Sequence, residues 1–178
     1  MSTQMLNSER RHTIAVLVDN EPGVLARVIG LFAGRGYNIE SLTVSEIDAV
    51  KGYSRITIVT SGTDMVIEQI KALLDRLVPV HMVEDLTIQG PCLERELALV
   101  KVVNSGESRI EALRIADMFR AHAIDSTLDS FVFELTGSPQ KLNAFIELMA
   151  GLGETEITRG GVVAIARGNR VGLKTSQY

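Results

Sequence analysis

Cysteine is nearly absent from this chain, because Cys92 is the single one among 178 residues. A lone cysteine cannot close an intrachain disulfide, which excludes the disulfide-stapled secreted domains and agrees with a reducing compartment. Positive charge is also scarce: 18 Lys and Arg stand against 22 Asp and Glu, for a formal net charge of -4. Proteins that bind nucleic acid usually carry a basic field, so we expect no nucleic-acid partner.

Long apolar runs are missing as well. The apolar run from Thr13 to Val18 follows Arg10 and Arg11, but it is too short for the core of a signal peptide. No segment approaches the roughly 18 apolar residues that suggest a membrane span. We therefore expect a soluble, cytoplasmic protein without a membrane partner. With 46% hydrophobic residues the chain can bury the core of one domain or of two small ones.

The common catalytic signatures are missing too. The sequence contains no G-x-S-x-G, no P-loop, no complete G-x-G-x-x-G and no cysteine pair for zinc. His12, His81 and His122 are far apart in sequence, and we interpret them as core or surface histidines. Solvated surfaces explain the glutamate clusters at 94–96 and 154–156 more simply than acid–base chemistry does. We predict no catalytic residue and no metal ligand on this chain, which leaves binding or regulation as the leading class of function.

Apolar and polar residues form a pattern of strands and helices that occurs twice. In the first occurrence, residues 13–18, 39–44, 53–60 and 78–86 have the composition of strands. Helical spacing begins at Gly23, where Leu25, Val28, Ile29 and Phe32 form one stripe, and again after Asp64. The order β-α-β-β-α-β is that of the ferredoxin-like fold, an antiparallel sheet with helices on one face. Because the first strand shows little polar alternation, we expect the open face or edge of the sheet to pack against another copy or another domain.

After a linker at 89–91 the pattern starts again. Strands are predicted at 97–103 and 131–135, and helical stripes begin at Ile110 and at Leu142. Gly160 and Gly161 indicate a hairpin between Ile157 and the segment 162–166 that closes the second unit. The fold class predicted is α+β, with two ferredoxin-like βαββαβ units at 11–87 and 95–168 and flexible tails at 1–10 and 169–178. The basic residues Arg159, Arg167, Arg170 and Lys174 favour a solvated tail or a docking patch for an acidic partner.

The turn between the first strand and the first helix carries the strongest functional signal. Pro22 suits the first helical position and Gly23 permits close approach to the exposed amides of the helix start. Those amides carry the positive end of the helix dipole, which favours a carboxylate or a phosphate. The alternative is an ordinary turn in which Asn20 caps the helix.

Three segments together resemble the family of acetolactate synthase small (regulatory) subunits: RHT at 11–13, DNEPGVLARV at 19–28 and GYNIESLTV at 36–44. The resemblance covers nearly the whole chain. It implies that the first unit is an ACT domain, the amino-acid-sensing form of the ferredoxin-like fold, and that the second is the C-terminal domain of the same subunit. The N-terminal segments are far more diagnostic than the C-terminal half.

The resemblance implies a non-catalytic homodimer that activates a large catalytic subunit and confers feedback inhibition by valine. The large subunit would hold thiamine diphosphate, Mg²⁺ and FAD and join two pyruvates into acetolactate and CO₂, the first common step of branched-chain amino acid biosynthesis. No cofactor is expected on this chain. Leucine or isoleucine stay open as effectors in place of valine.

The resemblance also implies the effector site. Its residues are Asn20, Pro22, Gly23, Val24, Leu25, Asn38 and Ile39. The N–H groups of residues 23–25 suit the carboxylate of valine, and the amide oxygens of Asn20 and Asn38 suit its ammonium group. In the family the helix start of one protomer faces the Asn–Ile segment of the other, so the ligand would bridge two chains. The alternative for Asn38 is a left-handed cap residue following Gly36.

Two other functions are also compatible with the sequence. The first is an ACT-type sensor that controls a different enzyme or a transcription factor, which co-purification with a large subunit would discriminate. The second is an enzyme on a ferredoxin-like scaffold, which turnover of a small metabolite by the isolated chain would reveal.

Overall fold

The computed structural model describes residues 8–173, which fold into two compact units. The first unit contains the described residues up to Leu93 and those from Val162 onward, and the second contains Glu94–Gly161. The second unit is therefore an insertion in the first, and the chain returns to the first unit near its end. The sequence predicted a boundary at 168 instead, because the segment after Gly161 has the composition of a closing strand.

The first unit has the predicted element order. Its elements are β1 (Arg10–Asp19), α1 (Val24–Arg35), β2 (Ser41–Asp48), β3 (Tyr53–Gly62), α2 (Asp64–Asp75) and β4 (Val80–Asp85). The strands form an antiparallel sheet in the order β2-β3-β1-β4. This is the ferredoxin-like arrangement that the βαββαβ pattern predicted, so the predicted fold class is confirmed. Because β1 begins at Arg10, the predicted tail at 1–10 is too long at its inner end, and residues 1–7 lie outside the described part of the chain.

One apolar core fills the space between this sheet and its two helices. The buried helical residues are Val24, Val28 and Phe32 of α1 and Ile67, Ile70 and Leu74 of α2. They pack against the apolar face of β1 and β3, where Ile14 and Ile58 are opposite each other. The predicted α1 stripe was wrong in two positions, because Leu25 and Ile29 are 37% and 39% exposed.

The other face of the sheet is covered by the end of the same chain. A second apolar cluster joins Ala15, Leu17 and Leu86 to Ala164 and Leu173. We call residues 162–173 the C-terminal strap; its first part is β9 (Val163–Ala166). The expectation that this face needs a cover is confirmed, while the cover seen here is a segment of the chain itself rather than a second copy.

Polar contacts also hold the strap to the rest of the first unit. Arg55 donates from Nη2 to the carbonyl oxygen of Ala164 at 2.6 Å, and Arg170 donates from Nη1 to the carbonyl oxygen of Gln89 at 2.7 Å. Burial lowers the pKa of Arg55, and the nearby charge of Glu84 opposes that shift. Within the predicted tail, Arg170 and Leu173 thus contact the first unit, and residues 174–178, including Lys174, lie outside the described residues.

The second unit is built in the same way. Its elements are β5 (Cys92–Val103), α3 (Glu107–Phe119), β6 (His122–Ser126), β7 (Ser130–Gly137), α4 (Pro139–Ala150) and β8 (Glu154–Arg159). Four strands follow the order β6-β7-β5-β8. Sequence reasoning missed β6, because all five of its residues are exposed and show no apolar alternation. The predicted hairpin was wrong too, since β8 pairs with β5 and β9 belongs to the strap.

Aromatic residues of β7 and α4 form much of the core of the second unit. Phe131, Phe133 and Leu135 alternate into that core, and Phe145 of α4 meets the Phe133 ring edge-on at 6.0 Å between centroids. Ser138 accepts a hydrogen bond from the Lys141 N–H, which confirms the predicted cap of α4. Of the stripe predicted for α3, Ala116 and Phe119 pack in the core as predicted, whereas Ile110 and Leu113 are exposed.

Between residues 8 and 173, no helix has both the length and the apolar content that a membrane crossing requires.

Candidate functional site

The turn that precedes α1 is open and exposed. β1 ends at Asp19 and α1 begins at Val24, so Pro22 lies in the turn and not at the first helical position as predicted. Gly23 has φ 86° and ψ -8°, a left-handed conformation that glycine adopts without a steric cost. A Cβ atom at Gly23 would meet nothing within 4 Å. The position that a side chain would occupy at Gly23 is therefore open space.

Asn20 does not cap the helix. The N-cap position belongs to Gly23, and no side chain bonds there. The Asn20 side chain instead donates from its amide nitrogen to Oε1 of Glu46 in β2 at 3.1 Å, and its backbone N–H donates to the carbonyl oxygen of Gly52 at 2.6 Å. The cap interpretation was thus wrong. The bond to Glu46 engages the amide nitrogen and not the amide oxygen, which is the atom that would accept from an ammonium group.

The helix start offers fewer free donors than the three predicted. The Val24 N–H donates to the carbonyl oxygen of Glu21, although at a long 3.4 Å. The N–H groups of Leu25 and Ala26 lie in the first turn, where no intrahelical carbonyl is available to them. Together with the helix dipole they make this end of α1 attractive to an anion. Gly23 and Leu25 are exposed, while the side chain of Val24 is buried and belongs to the core.

The second half of the predicted site follows the other end of α1. The helix ends at Gly36, whose φ is 70°, and the N–H of Tyr37 donates to the Phe32 carbonyl oxygen. Arg120 is the one non-glycine residue with positive φ between residues 8 and 173, so Asn38 is not a left-handed cap. Gly36 has that role instead. The Asn38 side chain is exposed, and its carbonyl oxygen accepts from Thr60 Oγ1 at 2.6 Å.

The two halves of the site do not come together within one chain. Gly23 and Gly36 bound the 12 residues of α1. A helix of that length spans about 18 Å, since each residue adds about 1.5 Å. Residues 20–25 therefore lie at one end of the helix, and Asn38 and Ile39 lie beyond the other. The chain therefore presents the two groups of predicted site residues at separate places on its surface.

The histidines take the structural roles that were predicted for the core and the surface. His12 is buried and its Nδ1 is 2.8 Å from Oδ2 of the buried Asp85. His81 Nε2 is 2.6 Å from Asp19 Oδ1 near the surface, and His122 is exposed. Within the described chain, no three His, Cys, Asp or Glu side chains converge in a way that could hold a metal ion.

The sequence did not predict the hydrogen bonds that the turn and β2 make with distant residues of the first unit. Glu46 is 26 residues from Asn20, and Val162 is bonded by the side chains of Ser41 and Thr43 across more than a hundred residues. No local pattern encodes such pairs. The strand register that brings Glu46 to the turn and the path of the strap have to be known first.

Each of the two parts of the chain matches a protein-family model. Residues 14–82 match the model of the AHAS small subunit-like ACT domain, and residues 95–168 match the model of the small subunit of acetolactate synthase. Two curated relatives are similar over most of their length. A probable acetolactate synthase small subunit of Archaeoglobus fulgidus is 47% identical over 90% of this chain and 99% of its own. The acetolactate synthase isozyme 3 small subunit of Salmonella typhimurium is 44% identical over 90% of this chain and 98% of its own.

A solved structure is similar to this chain in fold as well as in sequence. The crystal structure of an acetolactate synthase small subunit from Thermotoga maritima matches with a TM-score of 0.81 and 39% identity. The match covers 90% of this chain and 99% of that one.

Proposed function

The chain belongs to the family of acetolactate synthase small subunits, and from this premise we propose that it is a homodimeric regulatory subunit that senses valine. Membership implies a catalytic large subunit as partner. The proposed role is to activate that subunit and to inhibit it when valine accumulates. The large subunit would bind thiamine diphosphate, Mg²⁺ and FAD and join two pyruvates to acetolactate and CO₂, while this chain would bind no cofactor. We place the pair in the cytoplasm, in agreement with the single cysteine.

The proposed effector site uses both ends of α1. The first-turn N–H groups at Leu25 and the open turn at Gly23 suit the carboxylate of valine. The amide oxygen of Asn20 and the side chain of Asn38 suit its ammonium group, and Ile39 and Leu25 suit its isopropyl group. Pro22 shapes the turn, and Val24 contributes its backbone rather than its buried side chain.

The separation of the two groups of site residues is the observation that carries the proposal. Because about 18 Å of helix lies between them, a ligand that touches both residues 20–25 and Asn38 must bridge two protomers. An effector shifts an equilibrium only through its different affinities for two states. A site that exists only across an interface supplies such a difference, and coupling of about 1–3 kcal/mol, or about 5–150-fold, suffices for feedback control.

Exposed apolar residues support the dimer. Leu25 and Ile29 are one helical turn apart and both point to solvent in the single chain. β2 is an edge strand of its sheet, and its Val44 and Ile47 are exposed. Edge strands and exposed apolar faces are the surfaces that a second copy covers most readily.

Reconstitution with the large subunit tests the proposal. The acetolactate production of the large subunit should rise when this chain is added, and valine should then lower it. Calorimetric titration of valine, leucine and isoleucine into the isolated chain identifies the effector. Stimulation without any response to the three amino acids would reject the effector site, whereas co-purification with an unrelated enzyme or a transcription factor would favour the broader ACT sensor.

A further inference from the structure

A single residue of the strap has both of its backbone polar groups bonded to side chains of β2. The Val162 N–H donates to Ser41 Oγ at 2.8 Å, and the Val162 carbonyl oxygen accepts from Thr43 Oγ1 at 3.0 Å. Val162 is buried. Since side chains alternate along a strand, Ser41 and Thr43 lie on the same face of β2, opposite to Leu42, which packs into the helical core. Two hydroxyls on one strand thus hold one residue by its backbone.

Val162 occupies a particular place in the chain. The preceding residue, Gly161, is the last of the second unit and has φ 82°, a conformation that glycine adopts freely. Gly160 is still bonded within the second unit, where its N–H donates to the Leu97 carbonyl oxygen at 2.9 Å. Val162 is therefore the first point of attachment to the first unit after a permissive glycine.

The other end of the contact adjoins the proposed effector site. Ser41 follows Ile39 by two residues, and β2 begins at Ser41. The intervening Glu40 is held by its N–H, which donates to the Val59 carbonyl oxygen at 2.8 Å. Asn38 and Ile39 are therefore joined to Ser41 through a bend at Glu40 whose N–H is fixed to the neighbouring strand.

We infer that Ser41 and Thr43 are the coupling residues of this subunit: through Val162 they connect the state of the effector site to the point where the chain returns from the second unit. The inference rests on the proposed function. It concerns the transmission of the signal and not the binding of the ligand, because neither side chain belongs to the proposed effector site. The remainder of the strap has anchors of its own at Arg55 and Arg170, so the two hydroxyls control Val162 and not the strap as a whole.

The test separates valine binding from inhibition in the reconstituted holoenzyme. The variant is Ser41→Ala combined with Thr43→Val, which removes both hydroxyls with little change of volume. Thr43→Ser, combined with native Ser41, retains both hydroxyls and is the conservative control. Ser45→Ala is the matched control on the same strand and face, where the side chain is exposed. Each protein is titrated with valine by calorimetry and assayed with the large subunit at saturating valine.

We expect the double variant to bind valine with an affinity close to that of the wild type and to stimulate the large subunit normally. The factor by which saturating valine lowers the activity should be at least about fivefold smaller than in the wild type. Fivefold is the lower end of usual allosteric coupling. Both controls should respond like the wild type. Hydrogen exchange at residues 162–167 provides a second readout: valine should change it in the wild-type chain and not in the double variant.

Full inhibition of the double variant would overturn the inference. A parallel loss of binding and inhibition would also overturn it, because Ser41 and Thr43 would then act on the ligand itself. If the double variant fails to fold, Thr43→Val alone is tested, and normal inhibition with that variant counts against the inference. A wild-type chain that does not bind valine would reject the proposed function first and this inference with it.

Discussion

Arg159 donates two hydrogen bonds to the buried carboxylate of Glu96. Its Nε donates to Oε1 at 2.9 Å and its Nη2 donates to Oε2 at 2.5 Å, while Nη1 donates to Asn143 Oδ1. The bond to Glu96 raises the pKa of Arg159, and burial opposes this. Because the folded pKa is raised, the contribution of the Arg159 charge to stability is present below the ordinary pKa of arginine and is lost only as the pH rises into the strongly alkaline range. The bonds of Arg159 thus join β8 to β5 through Glu96 and to α4 through Asn143.

We predict that Arg159→Leu destabilises the second unit by about 2–3 kcal/mol, because it leaves the Glu96 carboxylate buried without its cation. The effect stays below that of a fully buried pair, since 35% of the Arg159 side chain is exposed. Lys101→Met is the control. It removes the exposed pair with Glu156 between the same two strands, and we expect a cost below about 1 kcal/mol. Denaturant unfolding measures both, and equal effects would contradict the prediction.

A second prediction concerns the strap, where Gly172 lies against the Glu84 carboxyl group. A Cβ atom at residue 172 would overlap the carboxylate and approach its Cδ to 2.9 Å. Glu84 is buried, so its carboxyl group has to shift among packed neighbours to make room. We expect Gly172→Ala to cost about 1–3 kcal/mol and to speed hydrogen exchange in residues 162–173. Gly34→Ala is the control, because a Cβ atom there meets nothing within 4 Å. Unchanged exchange in Gly172→Ala would mean that Glu84 moves aside.

The third prediction tests whether a negative charge at the start of α1 prevents valine from acting. Gly23→Asp places a carboxylate in the open space where the carboxylate of valine is proposed to bind. We expect valine inhibition to be lost while stimulation of the large subunit is largely retained. Gly23→Asn has the same backbone cost at φ 86° and a similar size without the charge. We therefore expect a smaller loss from Gly23→Asn, and an equal loss would assign the effect to the backbone.

The fourth prediction concerns Asn38, whose side chain is exposed and whose backbone is not left-handed. Asn38→Ala removes a proposed acceptor for the ammonium group and leaves the bond from Thr60 to the backbone carbonyl. We expect weaker valine binding, by roughly the 0.5–1.5 kcal/mol of one hydrogen bond, and an unchanged melting temperature. Calorimetry that returns the wild-type affinity would remove Asn38 from the site.

The fifth prediction concerns the proposed dimer. Ile29→Glu puts a charge on the exposed apolar face of α1, and burial of that charge in an interface would be costly. We expect sedimentation to show monomers and calorimetry to show loss of valine binding. Met65→Glu on α2 is the control, because Met65 is also an exposed apolar residue of a helix. A dimeric Ile29→Glu variant would place the interface elsewhere.

The elements that sequence reasoning predicted well are those in which one face is buried. In β7, the buried Phe131, Phe133 and Leu135 alternate with less buried residues. The start of α4 is marked by Ser138 and Pro139. β6 was missed and part of the stripe of α3 was wrong, because exposed apolar residues such as Ile124 and Ile110 carry no information about the direction of the core. The burial of Leu25 and Ile29 was predicted wrongly for the same reason. An apolar residue on a helix can face a partner as well as the core.

The candidate site was predicted in part. The open turn at Gly23 and the stop at Gly36 follow from local sequence, because both positions need a positive φ. The roles first considered for Asn20 and Asn38 as caps were wrong, since glycine occupies both cap positions. The resemblance to the acetolactate synthase small subunits is confirmed, while the valine site itself stays a prediction.

The local order of residues determined the two βαββαβ units and the exposed turn before α1, because hydrophobic period and glycine placement act over a few residues. Only the tertiary structure decided that the end of the chain returns to cover the first sheet and that Ser41 and Thr43 hold Val162. Those contacts join residues more than a hundred positions apart, and their energy exists only once both segments are folded.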